Sequence, residues 1–377
     1  MKKTLYILFV CLSFFTFTAQ AVPVKTVVIR VVGTNPAWGQ GEGASWPDAS
    51  PVKDAAGYSL YDLEIGRTDG LTPEVWKPPV YVALYKFSGW STDKLFLSSA
   101  EAINYKTSST VKKITFKKYT GSSEDYYRSS KAVTTALKLL VNQVLAREKG
   151  LTRLVLTYSG HGSPHVFFEG VISNPDSVDL VKFVRQKLAK KTFILDFSTN
   201  CNVGFFDFAV RYYRFADYLI ASDKAVGGYS FNAENLKDGS WLTTYHDSNL
   251  ANFWQKSHSV EQAFDEIMAT RKNNWAASSD SLSADNNPQA LSIYKLAEFE
   301  PLLSALKLNS FKPVLDLPAA SNDIATYAYA SGKAEIITAL EKFRIRYASD
   351  REYAEWSDDS QGFAVDNVEG LASYLNP

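Results

Sequence analysis

Leu154-Val155-Leu156-Thr157-Tyr158-Ser159-Gly160-His161-Gly162-Ser163-Pro164 is the stretch that decides the fold. It opens as an apolar, β-prone run and breaks off in Ser-Gly-His-Gly. So short and continuous an apolar run predicts a strand buried on both faces, as in a parallel sheet. The glycines predict a tight loop that displays one imidazole at the strand's C-terminal end. In open α/β sheets, ligands bind just outside that edge. A second run, Thr192-Phe193-Ile194-Leu195-Asp196-Phe197, passes into Ser198-Thr199-Asn200-Cys201-Asn202-Val203-Gly204. If the two strands are neighbours, His161 and Cys201 share one edge of the sheet.

Working outward, residues 24–32 predict a strong strand near the centre of the sheet, and 33–57 a long loop rich in Gly, Pro, Ala, Ser and Trp. Residues 80–87 predict a strand after Pro78-Pro79. Residues 111–119, partly alternating with Lys, predict an exposed one. Ser129 or Ser130 is placed as the cap of a helix whose apolar face is Val133, Ala136, Leu137, Leu140, Val141, Val144 and Leu145, with Gly150 as its stop. Residues 179–190 predict a helix between the two motif strands. Residues 204–213 predict a helix after the second, and 218–222 a short strand leading to Asp223 and a Gly227-Gly228 turn at the same edge. A helix over 259–273, a strand at 291–294 and a helix over 296–308 follow. Residues 310–377 predict a polar, mostly helical extension outside the sheet. The alternation of strand and helix predicts right-handed crossovers and a mainly parallel sheet.

Composition limits the function. The chain has 377 residues, 46% of them hydrophobic, enough for a well-buried core and about two structural units. Lys+Arg and Asp+Glu are equal at 40 each, so no basic field predicts a nucleic-acid partner. Neither an internal repeat nor a glycine-rich nucleotide fingerprint is present. Residues 1–21 read as a signal peptide: Lys2-Lys3, an apolar core over 5–17, then Ala19-Gln20-Ala21. The apolar core is too short to span a bilayer, and no later stretch is long enough, so no membrane span is expected. Export to the periplasm or the exterior is therefore expected. Of the 2 cysteines, Cys11 lies inside the leader, which leaves Cys201 alone after cleavage. In an oxidising compartment thiols are usually paired. A lone thiol is either kept for chemistry or is a small buried hydrophobe.

Cysteine and histidine together point to nucleophilic catalysis. The thiolate is the reactive form, and a nearby imidazole can lower the thiol's pKa or take its proton. The backbone N–H groups of Gly162 and Cys201 are candidate donors to an oxyanion. The residues alone also allow a core cysteine and a loop histidine that caps a turn. His161 and His165 have a metal-ligand spacing, but Gly162 and Pro164 between them oppose a helix. His246 and His258 are remote in sequence, so no metal or other cofactor is expected. Ser159, Ser163 and Ser198 are serine alternatives, without a Gly-x-Ser-x-Gly turn to support them. Asp196 either orients a catalytic group or accepts backbone N–H groups at its strand end.

Tyr158-Ser159-Gly160-His161-Gly162 resembles the histidine motif of the caspase-like cysteine peptidases. Cys201-Asn202-Val203-Gly204, followed by Arg214-Phe215-Ala216-Asp217-Tyr218-Leu219-Ile220-Ala221-Ser222-Asp223, is similar to the clostripain family within that group. That family has Gly three residues after its cysteine, then Ala-Asp-Tyr-x-x-Ala-Ser-Glu after a helix. The resemblance covers roughly 130–308. It implies a caspase-like three-layer α/β/α sandwich with a mainly parallel sheet, over 22–309, carrying the helical C-terminal extension at 310–377. It also implies a cysteine endopeptidase acting on polypeptide, often after Arg or Lys, with His161 as general base and acid and Cys201 as nucleophile. Asp223 is the acidic residue nearest the substrate loop. Thr199-Asn200-Cys201 stands where the family has Asp-Ala-Cys. Some of its members are cut at a basic residue between the catalytic pair; Lys182, Arg185, Lys187, Lys190 and Lys191 fall in that interval here, and the last two are the expected loop. The rival reading is an inactive relative that binds a peptide or an envelope partner in the same cleft. Oligomeric state is left open.

Overall fold

A computed structural model describes residues 25–34, 58–67, 80–87, 106–114, 123–159, 172–198, 200, 203–222, 254, 259–278, 290–306, 324, 328–329 and 332–349. Its frame is one nine-stranded sheet. The strands are β1 (Thr26–Thr34), β2 (Tyr58–Arg67), β3 (Val80–Phe87), β4 (Lys106–Ile114), β5 (Arg153–Ser159), β6 (Thr192–Phe197), β7 (Tyr218–Ala221), β8 (Ala290–Lys295) and β9 (Arg344–Ser349). Among the described residues the α-helices are α1 (Ser123–Arg147), α2 (Asn174–Leu188), α3 (Phe206–Tyr212), α4 (Val260–Ser278), α5 (Phe299–Ala305) and α6 (Ala334–Phe343). Across the sheet the order is β4-β3-β2-β1-β5-β6-β7-β8-β9. From β2 through β7 every pairing is parallel, and the two pairings at each margin are antiparallel, so the sheet is mixed, with the expected parallel order confined to its centre.

Period-2 alternation in the central strands divides the interior into two cores. Val27, Ile29, Leu154, Leu156, Phe193, Leu195 and Leu219 point to one face, where α1, α2, α3, α5 and α6 supply Leu137, Leu180, Phe208, Leu302 and Leu340. Val28, Val155, Ile194, Ile220, Leu291 and Ile293 point to the other, covered by Trp254 and by Phe264 and Ile267 of α4. The crossovers β5-α2-β6 and β6-α3-β7 step in one direction, so right-handedness puts both helices on the same face. The result is helix, sheet and helix in three layers.

Several expected boundaries move. β4 begins earlier than 111–119; residues 115–119 lie outside the described residues, as do 35–57. β2 was not foreseen, although Tyr61, Leu63 and Ile65 alternate with Asp62 and Glu64. α1 starts at Ser123, so neither Ser129 nor Ser130 caps it. Ser130 instead sits buried inside the helix, where its hydroxyl donates to Asp176 and accepts from the Ser173 N–H at 2.7 Å. α2 starts at Asn174 rather than 179. Ser173 is its N-cap, with the hydroxyl accepting from the Asp176 N–H at 3.4 Å, and a proline follows at the helix start. Gly150 has φ +78 just beyond the end of α1, in the left-handed conformation that glycine takes without steric cost.

The helical extension needs the largest correction. α6 is a helix, but it runs directly into β9, which pairs antiparallel with β8 and forms an edge of the sheet. The helical steps end at Phe343. Arg344-Ile345-Arg346-Tyr347 then alternates, and Arg346 pairs in register with Ile293. Ile336, Leu340 and Phe343 are all buried in the helix-rich core. The segment from 334 to 349 is therefore part of the sandwich, and a division near 310 does not separate it.

Candidate active site

β5 and β6 are parallel neighbours, with Thr157 opposite Asp196. β6 and β7 are likewise parallel, with Phe197 opposite Ala221. All three C-terminal ends therefore lie along one edge. The chain leaves β5 at Ser159 toward His161 and leaves β6 at Phe197 toward Cys201. It leaves β7 at Ala221 toward Asp223. His161, Gly162, His165, Cys201, Asp223 and the Gly227-Gly228 turn themselves lie outside the described residues.

The described residues around that edge are joined by a set of hydrogen bonds. β6 stops at Phe197, whose carbonyl accepts from the Asn200 N–H at 3.0 Å, closing a turn just before Cys201. Asp196 Oδ1 accepts from the Ser198 N–H at 3.1 Å, the backbone-satisfying role considered for it. Ser198 is buried at 2% exposure.

Beyond Cys201, the N–H groups of Val203 and Gly204 both donate to the Ser222 carbonyl, at 2.8 and 2.7 Å. One carbonyl at the end of β7 thus holds the return of the cysteine turn. Both N–H groups are committed to it, so oxyanion donors at this turn must come from residues before Val203. The Gly204 carbonyl in turn accepts from the Tyr294 hydroxyl of β8 at 3.1 Å. Val203, Gly204 and Ser222 belong to the motif runs quoted from the sequence, but their mutual contacts, and the part played by Tyr294, are not readable there. The available signal was Tyr294 itself, a polar tip in a strand facing the core, which when buried needs a partner.

Two further contacts fix the helices that follow the motif loops. The return from 160–171 enters at Ile172 and is held by the Ser130–Ser173–Asp176 group, with Ser173 Oγ donating to Asp176 Oδ2 at 2.8 Å. Ser177 of α2 shares a 2.8 Å hydrogen bond with the Tyr212 hydroxyl of α3. The helix after the histidine loop is thereby joined to the helix after the cysteine turn.

At the opposite end of the strands, Arg153 donates from Nε to Thr26 Oγ1 at 3.0 Å and from Nη2 to the Trp254 carbonyl at 3.3 Å, lying over that indole at 4.8 Å. Burial pushes its guanidinium down to about 10, partly offset by Glu261, so it stays charged at neutral pH. Among the described residues no group of three or more His, Cys, Asp and Glu side chains could hold a metal ion. No described helix is long and apolar enough to cross a membrane.

No protein-family model matches the sequence, and no curated protein matches it significantly. Solved structures do match. A secreted C11 cysteine protease from Bacteroides thetaiotaomicron, in complex with an irreversible peptide inhibitor, shares 11% identity over 94% of this chain and 99% of its own, with a TM-score of 0.54. The structure of the secreted C11 cysteine protease "iotapain" from the same organism shares 11% identity over 87% of each chain, with a TM-score of 0.52.

Proposed function

We propose, from the caspase-like fold that the chain shares with solved C11 (clostripain-family) cysteine proteases, that the protein is an exported cysteine endopeptidase with a Cys201–His161 dyad. The observation that carries this reading is the parallel pairing of β5 with β6, because the histidine and cysteine motifs follow the matching ends of those two strands. Cys201 attacks the scissile carbonyl and forms a thioester, and water then releases the acyl product. His161 takes the thiol proton and passes it to the leaving amine. The N–H groups of Gly162 and Cys201 receive the oxyanion. This choice agrees with the commitment of the Val203 and Gly204 N–H groups to Ser222. Asp223, next in the chain after Ser222, is assigned to the substrate loop, where a carboxylate would favour Arg or Lys before the scissile bond. Export rests on the leader at 1–21 and on the single thiol that its removal leaves.

The same reading carries an expectation about processing. A protease takes its substrate as an extended segment. Lys190 and Lys191 sit in a short turn between α2 and the central strand β6. Arg185 Nη1 donates to the carbonyls of Ala189 and Lys191 at 3.1 and 3.0 Å, and its Nη2 pairs with Asp217 at 2.6 Å. Threading that turn into an active site would require pulling out the start of β6. The remaining basic residues of the interval, Lys182, Arg185 and Lys187, are inside α2. The protein should therefore work uncut between His161 and Cys201.

One assay tests both points. Fluorogenic peptides that differ only at the residue before the scissile bond are incubated with the purified protein, whose intact mass is followed in parallel. Hydrolysis is expected after Arg or Lys, by a chain still continuous across 190–192. Absence of hydrolysis across the whole set would overturn the peptidase reading. Activity that appears only as a new terminus arises at Lys191 or Thr192 would overturn the single-chain reading alone.

A further inference from the structure

We propose that Tyr294 is a positioning residue for the nucleophile turn, set in place by the C-terminal helix α6. The inference rests on the peptidase reading above and adds to it a device that links the end of the chain to Cys201. Tyr294 stands on β8, two strands away from the one that leads to Cys201, and is fully buried. Its hydroxyl donates to the carbonyl of Gly204, three residues after Cys201, at 3.1 Å.

The ring itself is fixed from behind. It stacks on Phe343, the last residue of α6, at 5.0 Å between centroids and 28° between planes. Phe343 also meets Phe299 at 5.3 Å, and Phe299 meets Phe206, the first residue of α3, at 5.2 Å. The peptide units of the cysteine turn are thus gripped from two sides. The N–H groups of Val203 and Gly204 are held by Ser222, and the Gly204 carbonyl by Tyr294. Backbone gripped by three hydrogen bonds, with an aromatic cluster beneath it, has little freedom to reorient. Catalysis of this kind depends on such fixity, because a nucleophile displaced by about 1 Å loses on the order of 100-fold in rate.

The Tyr294→Phe variant of the full chain removes one hydroxyl and keeps the ring on Phe343. The expected result is a fall of about tenfold in kcat with KM within about twofold of wild type, because the bond acts on the turn and not on bound substrate. Amide exchange of the peptide carrying Val203 and Gly204 should speed up, while that of β5 and β6 stays unchanged. A second variant, Phe343→Leu, should shift kcat in the same direction with the hydroxyl still present. A wild-type kcat in Tyr294→Phe would overturn the proposal. If the wild-type protein hydrolyses no peptide at all, the peptidase reading fails and the catalytic part of the inference falls with it; exchange at Val203 and Gly204 then decides the structural part alone, faster exchange in Tyr294→Phe supporting the hold on the turn and unchanged exchange refuting it.

Discussion

Cys201→Ala is expected to lower peptide hydrolysis by on the order of 10⁴-fold or more while leaving the melting temperature within a few degrees of wild type. Removing the nucleophile of a covalent mechanism leaves only substrate binding and oxyanion stabilisation, and losses of that order follow in enzymes of this class. His161→Ala is expected to fall less far, by about 10²–10⁴-fold. A thiol of ordinary pKa, about 8.5, is still roughly one-tenth ionised at pH 7.5 and retains intrinsic nucleophilicity. What it lacks is a partner to protonate the departing amine. The ordering is part of the expectation. Steady-state kinetics on a peptide cut by the wild type give the ratio, and circular dichroism verifies the fold. A Cys201→Ala protein with more than about 1% of wild-type activity would mean that another group performs the attack.

Ending the chain at Lys333 is expected to abolish cooperative folding. The cut removes α6 and β9, and with them Ile336, Leu340 and Phe343, each at most 2% exposed. Burial of side chains of that size contributes about 2 kcal/mol each. Their sum is comparable with the whole stability of many domains, roughly 5–15 kcal/mol. The loss also strips Tyr294 of its stacking partner and Phe299 of one ring contact, and leaves β8 as a bare apolar edge prone to aggregation. Thermal unfolding and size-exclusion chromatography of the truncated chain read the outcome. A monomer that melts cooperatively near the wild-type temperature would show that the C-terminal unit is an accessory after all.

The parts of the sequence that were legible are those where one physical signal acts alone. Thr192–Phe197 is a short apolar run between a helix and a turn, and it is a strand with those bounds. Val80–Phe87 follows two prolines and is equally plain. The two motif loops could be assigned to one edge because parallel topology puts consecutive strand ends there. Failures occurred where two signals overlap or where partners come from far along the chain. Ser130 reads as a cap by residue type, yet its partners Asp176 and Ser173 are 46 and 43 residues away. The true cap, Ser173, was hidden because the apolar periodicity of α2 becomes clear only from Leu180. α6 and β9 meet without a Gly or Pro between them, so the helical pattern was carried past Phe343 into residues that alternate with period two. The grip on Gly204 depends on β8 lying beside β7, a contact across 90 residues of chain that no local pattern contains.

The pH dependence of Cys201 alkylation by iodoacetamide, in the wild type and in His161→Ala, tests the dyad most directly. Reaction is read by mass spectrometry of the peptide that carries Cys201, so Cys11 does not interfere. A thiol of pKa about 8.5 is only about 0.3% ionised at pH 6, whereas one paired with an imidazolium and shifted to about 6 is half ionised. The gain in thiolate is about 150-fold, and the lower basicity costs about tenfold in nucleophilicity, leaving a net advantage of about tenfold. The wild type should therefore react about tenfold faster than His161→Ala at pH 6. Its rate should level off near pH 7, and the variant's should keep rising through pH 8.5 and overtake it. Two profiles that coincide from pH 6 to pH 9 would contradict the pairing of His161 with Cys201.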